Sequence, residues 1–72
     1  MKQTERVLDY MRRFGSITTM QAFADLGVAR LSARIADLKD EGFDIVSETL
    51  STKNRYGEHV RYAKYSIREE HQ

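Results

Sequence analysis

Gly27 separates two stretches of helical periodicity that lie only two or three residues apart. Before it, Thr18 and Gln21 have the spacing of a capping box, in which each side chain accepts a hydrogen bond from the backbone N–H of the other at the start of a helix. A glycine with positive φ ends a helix abruptly, so two helices joined this closely must cross at a steep angle. After the glycine, apolar residues recur at intervals of three, four and three: Val28, Leu31, Ile35 and Leu38.

Two further elements are predicted before the capping box. A first helix runs from an N-cap at Thr4 to about Phe14, where Gly15 ends it. Ser16 and Ile17 are too few for an independent strand, but they suit a short strand added to a sheet formed elsewhere. The apolar residues expected to pack share one face of each helix: Val7, Leu8, Met11 and Phe14 in the first, and Ala22, Phe23 and Leu26 in the second.

The periodicity changes from helical to alternating after Gly42, which ends the third helix. The segment FDIVSETLSTK (43–53) is rich in β-branched residues, and HVRYAKYSI (59–67) alternates apolar with polar residues. Between them, NRYG (54–57) has asparagine and glycine at the first and fourth positions of a type I turn. The two segments are therefore predicted to form a hairpin that packs on the helices, because a lone hairpin is marginally stable.

The order of elements is helix, short extended piece, helix, tight turn, helix and hairpin. It predicts an α+β fold, the winged helix-turn-helix, with three helices plus a two-stranded antiparallel β-hairpin wing and a short third strand near Ser16–Ile17. The domain is expected to span residues 1–67, and residues 68–72 to form a frayed tail. A chain of 72 residues has the length for one core only.

Composition excludes several functional classes. The chain has no cysteine, and its two histidines, His59 and His71, have no partners at ligand spacing, so neither a metal site nor a cofactor is predicted. There is no P-loop, GxGxxG or Ser/His/Asp order, and the acidic residues form adjacent rather than facing pairs. We therefore predict no enzymatic activity and no small-molecule substrate. No segment approaches the roughly 18 apolar residues that span a bilayer, which predicts a cytoplasmic protein without membrane association.

Several segments together resemble a known family over roughly residues 4–67. The most specific are four short ones: GSIT (15–18), LSARI (31–35), EGFDI (41–45) and KNRYGE (53–58). With them, the chain resembles the small winged helix-turn-helix domains common in bacteriophage and prophage proteins. The resemblance implies DNA binding, often in regulation. One departure is Ala29, where a threonine or similar N-cap is expected; its absence is predicted to cost the third helix about 1 kcal/mol and to remove a phosphate contact.

The third helix is the candidate DNA-reading element because of the charges along its axis. Arg30 and Arg34 lie towards its N-terminus and Asp37 towards its C-terminus, which opposes the helix dipole but places cations where recognition helices face bases. Arg34 has the alternative of a plain surface pair with Asp37. The alanine-rich outer side either allows close approach to a groove or reflects the helix propensity of alanine. The candidate contact residues are Ala29, Arg30, Ser32, Ala33, Arg34 and Asp37.

The predicted wing concentrates positive charge. From Lys53 to Lys64 there are four lysines and arginines against one acidic residue, although the whole chain has a net charge of only +1. Such a loop can follow phosphates or insert Arg55 into a minor groove, with Tyr56 packed on a sugar. The alternative is a solvated edge whose charges prevent aggregation. The candidate contact residues are Lys53, Asn54, Arg55, Tyr56, His59 and Arg61.

Thr18 and Thr19 complete the candidate set, because free N–H groups at the start of the second helix can hold a phosphate. Two functions remain in competition. One is a sequence-specific or architectural double-stranded DNA-binding protein, a phage or prophage transcriptional regulator or excisionase-like factor that acts at the nucleoid of a bacterial host. The other is a winged-helix module that binds a phage or host protein and no DNA, which the fold alone does not exclude. The oligomeric state stays open between a monomer, a homodimer and a larger protein complex.

Overall fold

The computed structural model describes residues 2–69, and its helices and strands confirm the predicted α+β fold. The tight turn between the second and third helices and the C-terminal hairpin lie where the sequence predicts them. The elements follow one another along the chain as α1 (Gln3–Phe14), β1 (Ile17–Thr18), α2 (Thr19–Leu26), α3 (Leu31–Asp40), β2 (Ile45–Lys53) and β3 (His59–Ile67).

The strands form one antiparallel sheet in the order β1-β3-β2. β2 and β3 make the hairpin and pair without interruption along their full length. β1 adds two residues to the other edge of β3, with Ile17 opposite Tyr65. The short third strand predicted near Ser16–Ile17 is therefore present, displaced by one residue.

The core lies between the helices and one face of the sheet. α1 contributes Val7 and Met11, and the sheet contributes Ile17 and Ile45. Side chains of this size stabilise a fold by about 1.5–3 kcal/mol each when fully buried, so this single cluster is the main source of stability. The stripe predicted around α3 is confirmed, and each member is at most 3% exposed: Val28, Leu31, Ile35 and Leu38.

Two aromatic residues that the periodicity placed in the core are exposed. Phe14 is the last residue of α1 and is 68% exposed. Its ring packs on Tyr10, with 4.6 Å between the ring centroids. Phe23 is 63% exposed. α2 packs through Ala22 and Leu26, which lie about 40° apart around the helix axis, whereas Phe23 lies about 100° from Ala22. In so short a helix, the spacing alone does not define the centre of the buried face.

The ends of α2 are specified by nearby residues, as predicted. The backbone N–H of Gln21 donates to Oγ1 of Thr18 at 3.3 Å, and the N–H of Thr18 donates to Oε1 of Gln21 at 3.0 Å. At the other end, Gly27 has a φ of +69°, and its N–H donates to the carbonyl oxygen of Phe23 at 3.1 Å. These bonds satisfy backbone groups that have no partner within the helix.

Two predicted N-caps are wrong. α1 begins before Thr4, with Lys2 at the N-cap, and α3 has Arg30 at the N-cap, so Ala29 lies in the preceding turn. Neither of the two cap side chains makes a capping hydrogen bond. Packing of an apolar face stabilises a helix in a protein more than its local signals do, which is why both helices start without such a bond.

The first two residues after the sheet contact the domain. The N–H of Arg68 donates to the carbonyl oxygen of Asp44 at 2.8 Å. Nη2 of Arg12 lies 2.6 Å from Oε1 of Glu69, and the guanidinium of Arg12 lies over the ring of Phe43, 5.7 Å from its centroid. The predicted frayed tail, residues 68–72, is described at these two positions only, and residues 70–72 lie outside the described residues.

Candidate nucleic-acid interface

α3 presents a polar and small-residue side opposite its buried stripe. Ala29, Arg30, Ser32 and Asp37 are exposed, and Ala33 is half-buried. Alanine and serine project little from the backbone, so a flat surface can approach the helix closely on this side. Four of these predicted contact residues are therefore accessible, and Ala33 is partly accessible.

The predicted polarity of charge along α3 is retained. Arg30 precedes the first turn, and its carbonyl oxygen accepts the N–H of Arg34 at 3.3 Å. Asp37 and Asp40 are exposed further along the helix. Arg30 and Arg34 therefore lie towards the N-terminal end, where the helix dipole is positive, while Lys39 lies in the last turn.

Arg34 and Asp37 form an ion pair. Nη2 of Arg34 lies 3.3 Å from Oδ2 of Asp37, and the side chain of Arg34 is 33% exposed. The surface pair that the sequence left as an alternative for Arg34 is thus present. Nε of Arg34 is buried, so only the outer end of its guanidinium is accessible.

The N-terminus of α2 uses the Thr18 side chain for capping. Its hydroxyl oxygen and its backbone N–H are both engaged with Gln21. Thr19 is exposed at the first position of the helix, where backbone N–H groups have no acceptor within the helix. Because the Thr18 hydroxyl oxygen only accepts in its hydrogen bond with Gln21, its O–H can still donate, so a phosphate contact here can use that O–H as well as the backbone N–H of Thr19.

The distal part of the hairpin extends away from the core. Every residue from 51 to 62 is exposed, and we call this segment the wing tip. The protein measures 44 Å along its longest axis against 26 and 21 Å along the other two. Because the wing tip buries little apolar surface, it contributes little to the stability of the fold and mainly extends the hairpin away from the core.

Asn54 shapes the turn of the wing tip. Its Oδ1 accepts hydrogen bonds from the N–H groups of Tyr56 at 2.9 Å and Glu58 at 3.0 Å, and the N–H of Gly57 donates to its carbonyl oxygen at 3.0 Å. Sequence reasoning recognised the turn but missed that the Asn54 side chain is itself engaged, although asparagine is known for bonding to backbone groups two residues on. Arg55 and Tyr56 consequently lie at the tip, and Tyr56 is 84% exposed.

The basic residues of β2 and β3 are divided between the two faces of the hairpin. Lys53 pairs with His59 across the strands, and Arg61 follows two residues later, so all three side chains lie on the face that packs on the helices nearer the core. Lys64 lies on the other face, opposite Glu48. Three of the predicted contact residues thus share one face, and the positive charge of Lys64 is directed elsewhere.

Two of the three arginines of α1 form ion pairs, whereas several of the candidate DNA-binding cations do not. On α1, Arg13 pairs with Asp9 at 3.0 Å, and Arg12 pairs with Glu69. Within residues 2–69, no acidic side chain pairs with any of the following candidate cations: Arg30, Lys53, Arg55 and Arg61. These four remain able to bind an anionic partner without first breaking an ion pair.

The described part of the chain contains neither a metal-binding cluster nor a membrane-spanning helix. Across residues 2–69, no group of three histidine, cysteine or acidic side chains is arranged to bind a metal ion. None of the helices in that range has the length and apolar composition required to cross a membrane.

Comparison with known proteins agrees with this architecture. Residues 2–70 match the model of a family described as a winged helix-turn-helix domain. No curated protein and no solved structure matches the chain. Because the family model covers nearly the whole sequence, and the structure has the three helices and the wing, the chain belongs to the winged helix-turn-helix domain family.

Proposed function

We propose that this protein binds double-stranded DNA, with α3 in the major groove and the wing tip on the adjacent phosphate backbone or minor groove. The observation that carries the proposal is the wing tip itself. It extends beyond the core, contributes little burial and carries cations that have no acidic partner within residues 2–69. Membership of a winged helix-turn-helix family supports the same function, since such domains are typically DNA-binding modules without enzymatic activity.

α3 fits a groove by its N-terminal half. Arg30 lies at the end of the helix that recognition helices present to bases, and Ala29 and Ala33 leave room for the backbone to approach the groove floor. Asp37 and Asp40 repel phosphates, which disfavours docking by the C-terminal half. The direction of charge along α3 therefore supports a single orientation on DNA.

The wing tip complements α3 by binding the DNA backbone. Lys53, His59 and Arg61 line one face and can follow phosphates, while Arg55 at the turn has the reach to enter a minor groove. Tyr56, exposed next to it, can pack on a sugar. Such contacts position the protein and supply affinity, whereas α3 supplies the base contacts.

The cellular role follows from the family resemblance rather than from the geometry. We propose a transcriptional regulator or an excisionase-like architectural factor of phage or prophage type, acting at the nucleoid in the cytoplasm of a bacterial host. Binding as a homodimer would add a second half-site, and the exposed side of α1 offers a surface for it. The proposed regulatory role and the proposed homodimer both require DNA binding, so the test of DNA binding comes first.

A second candidate is a protein-interaction module that does not bind DNA. The observation in its favour is the number of exposed apolar side chains on the helices, Phe14, Met20 and Phe23, each more than 60% exposed. Exposed apolar side chains of this size are available to pack against a protein partner. Chemical-shift perturbation with random duplex DNA at low salt separates the two functions, since only DNA binding predicts shifts in residues 29–37 and 53–61.

A salt titration of duplex binding tests the proposed function. Contacts to several phosphates predict that log K falls linearly with log[salt], with a slope of about −0.9 per phosphate. Arg30→Gln and Arg55→Gln are expected to weaken binding, and Arg55→Gln to reduce the slope by about one. Arg13→Gln is the matched control, because it removes the same charge from an exposed α1 residue that is already paired with Asp9. If neither Arg30→Gln nor Arg55→Gln changes affinity or slope relative to this control, the proposed binding mode is wrong.

A further inference from the structure

Arg34 presents only one end of its guanidinium to the surface. Its Nε is buried and finds no hydrogen-bond acceptor among residues 2–69, whereas its side chain as a whole is 33% exposed. The accessible part is the end that carries Nη1 and Nη2. Nη2 lies 3.3 Å from Oδ2 of Asp37, within ion-pairing distance of that carboxylate.

The order of this pair does not serve the stability of α3. On a helix, the favourable order places the acid before the base, because each charge then lies nearer the end of the dipole that attracts it. Asp9 and Arg13 on α1 follow that order, with 3.0 Å between Oδ2 and Nε. Arg34 and Asp37 have the reverse order. The chain therefore uses the stabilising arrangement on α1 and the opposite one on the helix whose exposed side forms the candidate interface.

We propose that Arg34 reads a guanine in the major groove, end-on, and that Asp37 is the positioning residue that holds its guanidinium. The inference rests on the proposed function, since it requires α3 to lie in that groove. Guanine presents two acceptors there, N7 and O6, which match two parallel N–H donors from Nη1 and Nη2. The negative charge of Asp37 repels phosphate, so the pair favours a base edge over the backbone.

The first experiment locates the base. Sites are selected from a random duplex library with the full chain, and affinity is then measured for the selected site and for versions changed at the guanine. Exchange of that G·C pair for A·T is expected to weaken binding about 5- to 150-fold, the discrimination typical of a two-pronged arginine contact. Replacement by 7-deazaguanine, which lacks the N7 acceptor, is expected to weaken it as well. Inosine keeps O6 and N7 and lacks only the minor-groove amino group, so it is expected to bind like guanine.

Variants distinguish the contribution of the planar guanidinium geometry of Arg34 from that of its positive charge. Arg34→Lys keeps the charge but loses the planar fork; because a lysine ammonium can still donate to O6 and N7, the preference for guanine should fall without disappearing, while the salt dependence stays unchanged. Asp37→Asn should weaken the guanine preference and raise affinity for random DNA, and Asp37→Glu should restore part of the preference. Asp40→Asn is the control, because Asp40 is exposed on α3, and within the described residues it makes no ion pair. It should raise affinity for random DNA and leave the guanine preference intact.

The outcomes distinguish this inference from the proposed function. If Arg34→Lys retains the wild-type preference for guanine, or if the selected sites contain no required guanine, the inference is wrong and salt-dependent DNA binding still stands. If the wild-type chain binds no duplex DNA at low salt, the proposed function fails and the inference fails with it. A weaker guanine preference in Arg34→Lys and in Asp37→Asn, but not in Asp40→Asn, supports the roles assigned to both residues.

Discussion

Ile17 lies directly opposite Tyr65, where β1 pairs with β3. Ile17 is fully buried, and the residue that follows it caps α2. β1, which leads directly into α2, and β3, which forms one strand of the wing, therefore belong to the same sheet. In the proposed binding mode, this junction sets the distance between α3 and the wing tip along the DNA.

Replacing Ile17 by alanine is expected to lower the free energy of unfolding by about 2–5 kcal/mol, because removal of a large buried side chain leaves a cavity. A domain of this length has only about 4–11 kcal/mol in total, so the variant should be partly unfolded at moderate temperature. Urea unfolding followed by circular dichroism measures the change. Met20→Ala is the control, since Met20 is 76% exposed and its replacement should stay within about 0.5 kcal/mol. Equal free energies of unfolding for the two variants would contradict the conclusion that Ile17 is a stabilising core residue.

Gly27→Ala is expected to destabilise the protein by about 1–2 kcal/mol, because the residue has a φ of +69° and a side-chain Cβ is strained in the left-handed region. Nothing lies within 4 Å of a Cβ built there, so the loss would come from the backbone and not from a clash. Gly27→Asn should lose less, since asparagine tolerates this conformation. Thermal unfolding of the three proteins tests the order, and Gly27→Ala as stable as Gly27→Asn would overturn this explanation.

Tyr10 donates a hydrogen bond from its hydroxyl to Oδ2 of Asp25 at 2.6 Å, which joins α1 to α2. This bond, with desolvation and the charge of Asp25, raises the pKa of Tyr10 above its ordinary value of 10.0. Because the folded pKa is the higher one, the stabilisation is complete below pH 10 and is lost as the pH rises through the folded pKa. The difference in unfolding free energy between wild type and Tyr10→Phe should therefore be constant up to about pH 10 and shrink above it. Urea unfolding across this pH range measures it, and a difference that grows with pH would contradict the assignment.

Arg61 and Lys64 lie on opposite faces of β3, which separates their effects on DNA binding. Arg61→Gln is expected to weaken binding to all sequences and to reduce the salt slope by about one, as expected for a lost phosphate contact. Lys64→Gln removes the same charge from the other face and should leave the slope unchanged. Fluorescence anisotropy with one duplex at several salt concentrations compares them. Equal slopes for the two variants would show that the face of the hairpin is irrelevant.

The sequence predicted best those elements whose signals are local. The Thr18–Gln21 capping box and the glycine at position 27 act through hydrogen bonds and backbone conformation within a few residues, so their effect is visible without the rest of the chain. The stripe along α3 is equally clear, because four apolar residues at helical spacing define a face.

Predictions failed where a partner element decides the outcome. Phe14 and Phe23 are apolar and correctly spaced, yet they are exposed, because the position of the buried face depends on which neighbouring element covers it. Likewise, Arg30 rather than Ala29 occupies the N-cap of α3, since packing sets where that helix begins. The proposed contact residues remain to be tested, although most of them lie on accessible parts of α3 and the wing tip.

By itself, the sequence determined the order of helices and strands, the turns between them and the concentration of basic residues near the hairpin turn, because periodicity, glycine and capping residues act over short distances. Only the tertiary structure decided which cations contact residues that are distant in the sequence. Arg12 meets Glu69, 57 residues away, while Lys53 and Arg61 share a face only through the register of β2 with β3. The Arg12–Glu69 pair and the cross-strand neighbours depend on how distant segments are packed together, and no local pattern records that.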